Sequence, residues 1–479
     1  MAKTESQKVH EIYGLIGERG LYVNTNLDLF GGPTKDVTIL TSGYTVQLAD
    51  KETYSYASPL LFAALTSLLN YGTMLITGAP GIGKTTSAEY AGHFFSGVPL
   101  DKIIQAELLG NPNLTEEKTI AYYDTAKLIK EGVRSVIPTE FLRCPVKIWD
   151  EINRTPPDLL SVAMKLVDTG KATYQGVTLK SAVGPLFATA NYSDEGTFQL
   201  TAPFLDRFDI AVMVTSPPAS DLEKIRNRGD EKLGNNLENL LEIPEGLKLN
   251  NEQIKKEINA LPEQTEKGIG IVYPFIDFIY ANLRFSEIAS DNILRATKGN
   301  AWSINQDNAP TGHFQDHTST YTINELSIRT IRAIQRYAKA FAWFTGKDKI
   351  TIKDVETILP YALWHKIQPT KAALEENAKF SNDRISFVRN LTKSIKEEYY
   401  SLLSDANVKF YYAALDILKD GKFNNQDLNI DQVNTITSNA IERLGRIDKV
   451  WALILINHLA NEYNLFINKK NEASNTPYK

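Results

Sequence analysis

The sequence predicts an α/β fold in which a parallel sheet is covered by helices, followed by domains that are mostly helical. Short apolar runs alternate with helical patterns from Thr73 to Thr215, which is typical of a parallel sheet buried on both faces. The first run leads through a glycine-rich loop into a helix, and Pro217-Pro218 ends the alternation. The apolar runs are Met74–Ile76, Ile103–Ile104, Val146–Trp149, Pro185–Ala190 and Ile210–Val214.

Helix boundaries follow from residues that start or stop helices. The helix after the glycine-rich loop is expected to stop at Gly97, and another, which begins with two prolines, is expected to stop at Gly170. Ser327 is predicted to cap a long helix, and Thr351 with Asp354 resembles a capping box at the start of the next.

Two segments alternate around glycine and predict β-hairpins, namely Val37–Leu48 and Lys171–Lys180. The residues before the first hairpin form a polar start. The segment Ala121–Gly132 has a helix-like pattern.

Length and composition limit the classes of protein. The chain has 479 residues, and single cores stop growing at roughly 250 to 300 residues, so we expect several domains. A formal net charge of −5 argues against a broad basic surface for non-specific DNA binding. The single cysteine, Cys144, excludes an internal disulfide and a cysteine-based zinc site. With no signal peptide or membrane-spanning segment recognisable, we expect a cytoplasmic protein without membrane insertion.

The glycine-rich loop GAPGIGKT matches the phosphate-loop pattern G-x-x-x-x-G-K-[ST]. Glycines let backbone N–H groups curl around a polyphosphate, and the next helix directs the positive end of its dipole at the same charge. Lys84 would reach the β- and γ-phosphates, and the Thr85 hydroxyl would bind Mg²⁺. The alternative, an ordinary glycine-rich turn, fits the flanks poorly. We therefore predict ATP and Mg²⁺ as cofactors. The residues predicted to bind the nucleotide are Gly78, Ala79, Pro80, Gly81, Ile82, Gly83, Lys84, Thr85 and Thr86.

Polar groups follow two further strands at their carboxyl ends, the edge where ligands bind to open parallel sheets. Asp150 and Glu151 follow one apolar run, and Asn191 follows another. Asp150 is a predicted ligand of Mg²⁺, Glu151 would polarise the attacking water, and Asn191 would orient that water or contact the γ-phosphate. The alternative for Asp150 and Glu151 is a solvated acidic turn, and the alternative for Asn191 is a simple amide at a strand end.

Arg207 precedes its strand, so it is expected at the opposite edge of the sheet from the phosphate loop. A strand of about five residues is roughly 17 Å long, which places Arg207 out of reach of its own subunit's γ-phosphate. It could reach a neighbour's, where an arginine supplied in trans stabilises phosphoryl transfer. The alternative is an ion pair with Asp206 or Asp209.

Arg329 lies in the first turn after Ser327, where the helix dipole disfavours a cation. A phosphate at that position would relieve the conflict. Arg332, one turn later, is the competing candidate, and a solvated arginine face continued by Arg336 is the alternative interpretation.

His313 and His317 have metal-like spacing in a polar loop, but with no cysteine or second cluster nearby we do not expect a metal site there.

In the phosphate loop, in the polar residues at the strand ends and around the candidate arginines, the sequence resembles the AAA+ ATPases, and specifically the MoxR family. The resemblance rests on GAPGIGKT at Gly78–Thr85, DEINRTPP at Asp150–Pro157, the tract from Gly170 into LFATANYSDEGTFQLTAPFLDRFD at Leu186–Asp209, and SIR at Ser327–Arg329. It covers about Ser58 to Ile367.

The resemblance implies Walker A at Lys84 and Thr85, Walker B at Asp150 and Glu151, sensor 1 at Asn191, an arginine finger at Arg207 and sensor 2 at Arg329. It also implies a homo-oligomeric ring, usually a hexamer, with nucleotide at subunit boundaries. Proteins of this family are chaperone-like remodellers that mature or activate a protein client, often through a partner with a von Willebrand factor A domain.

Four domains are expected on this basis: residues 1–57 as an N-terminal lead-in, 58–216 as the AAA+ α/β nucleotide-binding domain, 217–370 as an all-helical lid with an insertion, and 371–479 as a C-terminal helical extension. The sequence departs from the family in a longer segment at Asn111–Arg143, in the lid insertion Gly234–Ser319 and in the residues after 370. These departures affect what the resemblance implies about the pore and the partner. They do not affect the residues of the ATP site.

The leading hypothesis is a Mg-ATP-dependent ring motor that remodels a protein client, with loops around Tyr122, Tyr123 and Tyr174 moving against it. One alternative is a nucleic-acid motor, which would require the basic residues of Lys171–Lys180 or Lys127–Arg143 to line the pore. A second alternative is a nucleotide-switched scaffold with almost no turnover, against which the intact Walker B glutamate argues.

Overall fold

The computed structural model of the chain describes residues 3–22, 35–39, 44–48, 58–191, 197–214, 226, 237–266, 269–284, 318–323, 325–420, 422–423, 426–447 and 449–474. The strands are β1 (Lys35–Ile39), β2 (Tyr44–Leu48), β3 (Thr73–Gly78), β4 (Leu108–Leu109), β5 (Ala121–Tyr123), β6 (Val136–Pro138), β7 (Lys147–Asp150), β8 (Lys171–Tyr174), β9 (Val177–Lys180), β10 (Leu186–Ala190), β11 (Ile210–Val214), β12 (Thr265–Glu266), β13 (Ile269–Gly270), β14 (Lys422–Phe423) and β15 (Gln426–Asp427).

The α-helices are α1 (Glu5–Glu18), α2 (Pro59–Leu69), α3 (Lys84–Ser96), α4 (Leu100–Ala106), α5 (Glu116–Thr119), α6 (Thr125–Glu131), α7 (Glu140–Arg143), α8 (Pro157–Thr169), α9 (Ala202–Leu205), α10 (Leu237–Leu241), α11 (Asn251–Ala260), α12 (Val272–Arg284), α13 (Ile328–Phe344), α14 (Ile352–Leu363), α15 (Lys371–Glu376), α16 (Arg384–Leu403), α17 (Ala406–Asp420), α18 (Ile430–Leu444) and α19 (Val450–Ser474).

The chain divides into two compact units. The first comprises Met1–Pro262, Arg332–Ile350 and Tyr361–His365, and the second comprises Glu263–Ile331, Thr351–Pro360 and Lys366–Lys479. The finer division into four domains stays a prediction. Among the described residues, no helix combines the length and the apolar character that crossing a membrane requires.

A five-stranded parallel sheet forms the centre of the first unit. The strand order is β11-β3-β10-β7-β4, and every neighbouring pair is parallel. When the five strands are numbered by their order along the chain, their order in the sheet is 5-1-4-3-2. The first strand therefore lies between the fifth and the fourth. All of β10 is buried, as expected for a strand covered on both faces. Strands β3, β7, β10 and β11 coincide with four of the predicted apolar runs, which confirms the predicted sheet.

The prediction of a strand at Ile103–Ile104 is wrong, because both residues lie in α4 and the sheet strand is β4. Pro99 is the N-cap of α4. In a helix only one of two adjacent isoleucines can face the core: Ile103 is fully buried, whereas Ile104 is 51% exposed. A two-residue run is too short to show which period it follows.

The N-terminal helix α1 was not predicted within the polar start. Its buried residues Val9, Ile12, Tyr13 and Ile16 follow the i, i+3, i+4, i+7 spacing of an amphipathic helix. Thr4 and the side chain of Gln7 form a capping box at its start. The periodic signal was therefore present among many charged residues.

The predicted hairpins and helix ends are confirmed where the structure describes them. Strands β1 and β2 pair, as do β8 and β9. Helices α3 and α8 end at Gly97 and Gly170. The helix-like pattern at Ala121–Gly132 is only partly right: its first three residues form β5, which pairs with β6 across α6.

The second unit is largely helical and has an aromatic core. Tyr399 of α16 contacts the rings of Phe275 and Phe278 of α12 and of Trp451 of α19, at centroid distances of 5.1, 5.5 and 5.6 Å. Its hydroxyl donates to the Ile271 carbonyl at 2.8 Å, so the buried polar tip has a partner.

The predicted helix caps after residue 320 are also confirmed. The Ser327 hydroxyl accepts from the Thr330 N–H at 3.3 Å at the start of α13. Thr351 and Asp354 form the reciprocal bonds of a capping box, at 2.8 and 3.3 Å, at the start of α14.

Gly92→Ala should destabilise the first unit. A Cβ at Gly92 would lie 2.6 Å from a buried Val146 methyl group and 3.0 Å from Ile103, and overpacking of this kind costs about 1–3 kcal/mol. This exceeds the gain of about 1 kcal/mol that alanine brings to a helix interior. Gly14→Ala in α1 is the matched control, because nothing lies within 4 Å of its added Cβ, and it should raise the unfolding midpoint. Equal midpoint shifts of the two variants in thermal unfolding would contradict this packing.

Candidate functional site

The phosphate loop joins β3 to α3 and faces the carboxyl edge of the sheet. Gly81 and Gly83 have φ values of 74° and 81°, which L side chains rarely adopt. The Tyr22 hydroxyl donates to the Gly83 carbonyl at 3.3 Å, and its ring would lie 3.3 Å from a Cβ added at Gly83. The segment after α1 therefore supports the loop from outside, a contact that the sequence did not indicate.

The ammonium group of Lys84 is enclosed by the loop and by the adjacent strand end. It donates to the carbonyls of Gly78 at 3.0 Å and Ala79 at 2.7 Å, and to Oδ1 of Asn191 at 2.7 Å. Burial lowers the pKa of Lys84, and the negative charges of Asp150 and Glu151 oppose that shift. The predicted cation and the predicted strand-end amide are thus in direct contact.

Asp150 receives two hydroxyl groups on the same oxygen. Thr85 donates to its Oδ1 at 2.7 Å and Thr189 donates at 2.5 Å. A threonine hydroxyl beside an aspartate is an oxygen set of the kind that Mg²⁺ prefers. The residues therefore fit the predicted Mg²⁺ site.

Glu151 is held by its backbone and by its side chain. Its φ of 48° lies in the left-handed region, a strain of about 1–3 kcal/mol that surrounding contacts must maintain. Its N–H donates to Oγ1 of Thr189 at 2.9 Å. Its carboxylate accepts from Nδ2 of Asn191 at 2.7 Å and lies 3.2 Å from Nε of Arg154. The side chain is thereby fixed at two points.

Three site residues were missed by the sequence-based prediction. Thr189 bridges the two acidic residues from the neighbouring strand, Arg154 reaches Glu151 from three positions later, and Asn153 donates from Nδ2 to the Asn191 carbonyl at 2.9 Å. The i, i+3 spacing of Glu151 and Arg154 could have predicted their ion pair. Thr189 and Asn153 lie within the tracts that carry the family resemblance, but their contacts depend on which strands are neighbours and could not be predicted from spacing.

Two further carboxylates make the surroundings of Asp150 electronegative. Burial and then the charge of Asp150 raise the pKa of Glu89. Burial, followed by the charges of Glu89 and Asp150, raises the pKa of Glu107 to about 7. A bound divalent cation would be stabilised by this local negative potential.

Arg207 lies at the opposite edge of the sheet, as expected. Its carbonyl accepts from the hydroxyl of Thr73 at 2.8 Å, and Thr73 is the first residue of the strand whose last residue opens the phosphate loop. Its guanidinium contacts Oδ2 of Asp168 through Nε at 3.0 Å and Nη2 at 2.9 Å, and it also donates to the Pro203 carbonyl. The ion pair thus involves Asp168 rather than Asp206 or Asp209.

The contacts described above do not include the candidate sensor arginines or the two histidines. Arg329 belongs to the second unit, so its role as sensor 2 stays a prediction, and Arg332 belongs to the first unit and is exposed. His313 and His317 lie outside the described residues.

The tyrosines predicted to move against a client differ in exposure. Tyr122 is 46% exposed, whereas Tyr174 is buried and its hydroxyl donates to Glu117 at 3.2 Å. The rings of Tyr123 and Tyr174 lie 5.8 Å apart. Only the first of the three thus offers a large exposed ring to a client.

Two family models match the chain. Residues 73–208 match the AAA domain of the dynein-related subfamily, and residues 318–386 match the AAA lid domain. The predicted AAA+ core followed by a lid is therefore confirmed, and an AAA domain implies nucleotide binding. No curated protein matches the chain.

Solved structures resemble this fold at low sequence identity. The crystal structure of a "putative ATPase" from Cytophaga hutchinsonii ATCC 33406 is 18% identical, with a TM-score of 0.50 over 80% of this chain and 96% of that one. A full-length MCM homolog from Methanopyrus kandleri is 14% identical, with a TM-score of 0.38 over 77% of this chain and 64% of that one. The first similarity concerns the fold alone.

Thr189→Val should weaken binding of Mg-nucleotide. The change keeps the side-chain shape but leaves Asp150 with one hydroxyl donor fewer and the Glu151 N–H without its acceptor. Loss of a group that orients a metal ligand typically costs roughly 10–100-fold in metal affinity, and the unpaired N–H should cost about 1–3 kcal/mol of stability. Fluorescence titration with Mg-ADP measures the first effect and urea unfolding the second.

Thr189→Ser, which keeps the hydroxyl, is the control and should bind Mg-ADP nearly as the wild type does. If the valine variant bound Mg-ADP as tightly as the serine variant, the contacts of Thr189 would not support the metal site.

Proposed function

The chain carries an AAA domain followed by an AAA lid domain, and from this premise we propose that it is a Mg-ATP-dependent ATPase of MoxR type. It assembles into a ring, with a hexamer as the expected size, and remodels or activates a protein client. The observation that carries the proposal is the convergence of Lys84, Thr85, Asp150, Glu151 and Asn191 at one edge of the sheet.

Each of these groups has a distinct part in hydrolysis. Lys84 binds the β- and γ-phosphates, and Thr85 with Asp150 holds Mg²⁺, which neutralises phosphate charge when bound. Glu151 accepts a proton from the attacking water. Asn191 touches both Lys84 and Glu151, so it places the base relative to the phosphates. The contact of Arg154 with the second carboxylate oxygen supports the same orientation.

The position of Arg207 supports a ring. It lies beside the first residue of β3, whereas the phosphate loop follows the last, and this strand is roughly 17–20 Å long. Arg207 therefore acts on the nucleotide of a neighbouring subunit. Asp168 orients the guanidinium through two contacts on one oxygen. Nucleotide bound between subunits then couples hydrolysis to movement within the ring.

The client is a protein, engaged through a partner with a von Willebrand factor A domain. The support is the resemblance at Asp150–Pro157 and Leu186–Asp209 together with the exposed apolar side chains on the helix between β5 and β6, where Leu128 and Ile129 are 38% and 83% exposed. A net charge of −5 favours a protein over a nucleic acid.

Arg207→Ala should bind ATP with unchanged affinity and lose hydrolysis by roughly 10³-fold, the loss expected for an arginine finger. Arg143→Ala is the matched control, because Arg143 is exposed and its ion-pair partner among the described residues is Glu140 of its own helix. Steady-state phosphate release and equilibrium ATP binding give the two quantities. Normal turnover of the Arg207 variant would refute a role in catalysis.

Mixing two inactive variants tests whether the arginine acts in trans. When Arg207→Ala is mixed with Glu151→Gln, some interfaces combine an intact Glu151 with an intact Arg207 from the neighbour. Hydrolysis should therefore return in the mixture. Absence of recovery, although the mixed oligomer forms, would contradict action between subunits.

Glu151→Gln should retain ATP without hydrolysing it and so keep the client bound. We expect a defined protein to co-purify with this variant in ATP and not in ADP, as identified by mass spectrometry. Lys84→Ala, which should not hold ATP, provides the background. Nucleic acid enriched instead, with no protein, would favour the translocase alternative.

A further inference from the structure

A cavity of about 330 Å³ lies in the first unit at the edge where the sheet strands begin. Thr73, Lys147 and Leu186, the first residues of β3, β7 and β10, contribute to its wall. The end of α8 and the base of the β8–β9 hairpin complete it. The phosphate loop follows the other end of β3, so this cavity is separate from the nucleotide site.

The ionisable lining of the cavity is strongly cationic. Lys147, Lys171 and Lys180 line it, and none of the lining residues that the structure describes is an aspartate or glutamate. Lys171 and Lys180 are directly paired residues of the antiparallel hairpin, an arrangement in which like charges repel. Within the described part of the chain, neither lysine forms an ion pair. An anion between them would convert this repulsion into attraction.

Lys147 adds a buried charge to the same wall. It is 5% exposed, and its ammonium donates to the carbonyls of Ala182 at 2.5 Å, Cys144 at 3.0 Å and Pro145 at 3.5 Å. Burial lowers the pKa of Lys147 to about 8, a shift that the Cys144 thiol opposes. No carboxylate among the described residues pairs with it. A buried cation without a counter-charge is costly, and a bound anion would supply one.

The carboxylates beside the lining are already engaged. Asp209 accepts from the N–H of the lining residue Thr73 at 3.1 Å and from Arg336 at 2.8 Å. Asp168 lies between the lining residues Val167 and Thr169, but its Oδ2 accepts from Arg207 at 2.9 and 3.0 Å. It therefore does not neutralise the lysines through that contact.

The other wall of the cavity suits an apolar body. Tyr71 lines the cavity, and two cations lie over its ring, the guanidinium of Arg336 at 4.9 Å and the ammonium of Lys255 at 5.5 Å from the centroid. Leu166 and Leu186 also line it. Cationic groups and an apolar, aromatic surface thus meet in one small space.

We propose that this cavity binds a small organic anion, namely a molecule with one phosphate or carboxylate group on a compact apolar or planar body. The hairpin lysines bind the anionic group. The buried charge of Lys147, whose ammonium donates to three carbonyls, attracts the anion electrostatically, and Tyr71 with the leucines contacts the body. The volume of about 330 Å³ lies at the lower end of the range of small-molecule sites, so the ligand is much smaller than ATP.

Phenyl phosphate, benzoate and the neutral benzyl alcohol test the proposal by calorimetric titration of the full chain. Saturating Mg-ADP occupies the phosphate loop, and the Lys84→Ala variant provides a second way to exclude that loop as the binding site. We expect at least one of the two anions to bind and benzyl alcohol not to bind. Comparing the anions shows which head group is preferred. Failure of both anions to bind would overturn the proposal.

Lysine variants locate the binding site. The double variant Lys171→Met/Lys180→Met changes exposed residues only and should weaken binding of the anion at least about tenfold, the loss expected for charge-assisted hydrogen bonds. Lys147→Met should weaken it as well if the variant folds. The control is Lys165→Met, because Lys165 lies on α8 outside the lining and donates to Thr173 at 2.9 Å. Unchanged affinity of the double variant would overturn the assignment.

Discussion

The hydrogen bonds made by Thr189 and Asn191 connect the parts of the candidate site. Thr189 lies in β10 and Asn191 directly follows it, and β10 pairs with β3 on one side and with β7 on the other. From this central position Thr189 contacts Asp150 and Glu151, and Asn191 contacts Lys84 and Glu151. A shift of one residue in the register of β10 would turn these side chains to the other face of the sheet. Parallel pairing in this register is thus the condition on which the site depends.

The same network maintains a strained backbone. Glu151 has a positive φ, and a non-glycine residue remains in that conformation only when its surroundings compensate for the strain. Its N–H is held by Thr189 and its carboxylate by Asn191 and Arg154. The carboxylate lies beside Asn191, which also contacts Lys84 at the end of the phosphate loop. Strain and function therefore coincide at the residue proposed as the base.

The two edges of the sheet have different charge. At the carboxyl edge, carboxylates lie around one lysine, a combination that we propose binds a cation and phosphates. At the amino edge, Arg207 and the lysine-lined cavity present positive charge, with Asp168 in contact with the arginine. This asymmetry fits subunits that place the amino edge of one against the nucleotide of the next. The amino edge also carries the cavity that we propose binds a small organic anion.

Local sequence determined the elements that depend on short-range chemistry. The phosphate loop, four of the five sheet strands, the helix ends at Gly97 and Gly170 and the hairpin Lys171–Lys180 all follow from glycine conformation, apolar periodicity or alternation. The positions of Asp150, Glu151 and Asn191 at one edge also followed, because carboxyl ends of parallel strands share an edge. The prediction of a strand at Ile103–Ile104 failed because two apolar residues are too few to distinguish the periodicity of a strand from that of a helix.

Tertiary structure alone decided which side chains meet. That Thr189 bridges two acidic residues, that Tyr22 supports Gly83 and that Arg207 pairs with Asp168 depend on strand order and on contacts between residues 38 to 61 positions apart. The cationic cavity has the same origin, since it brings together the first residues of three strands, the end of a helix and the base of a hairpin. Sequence specifies the local conformations, whereas burial and pairing of distant segments determine which charges are neutralised and which are left for a ligand.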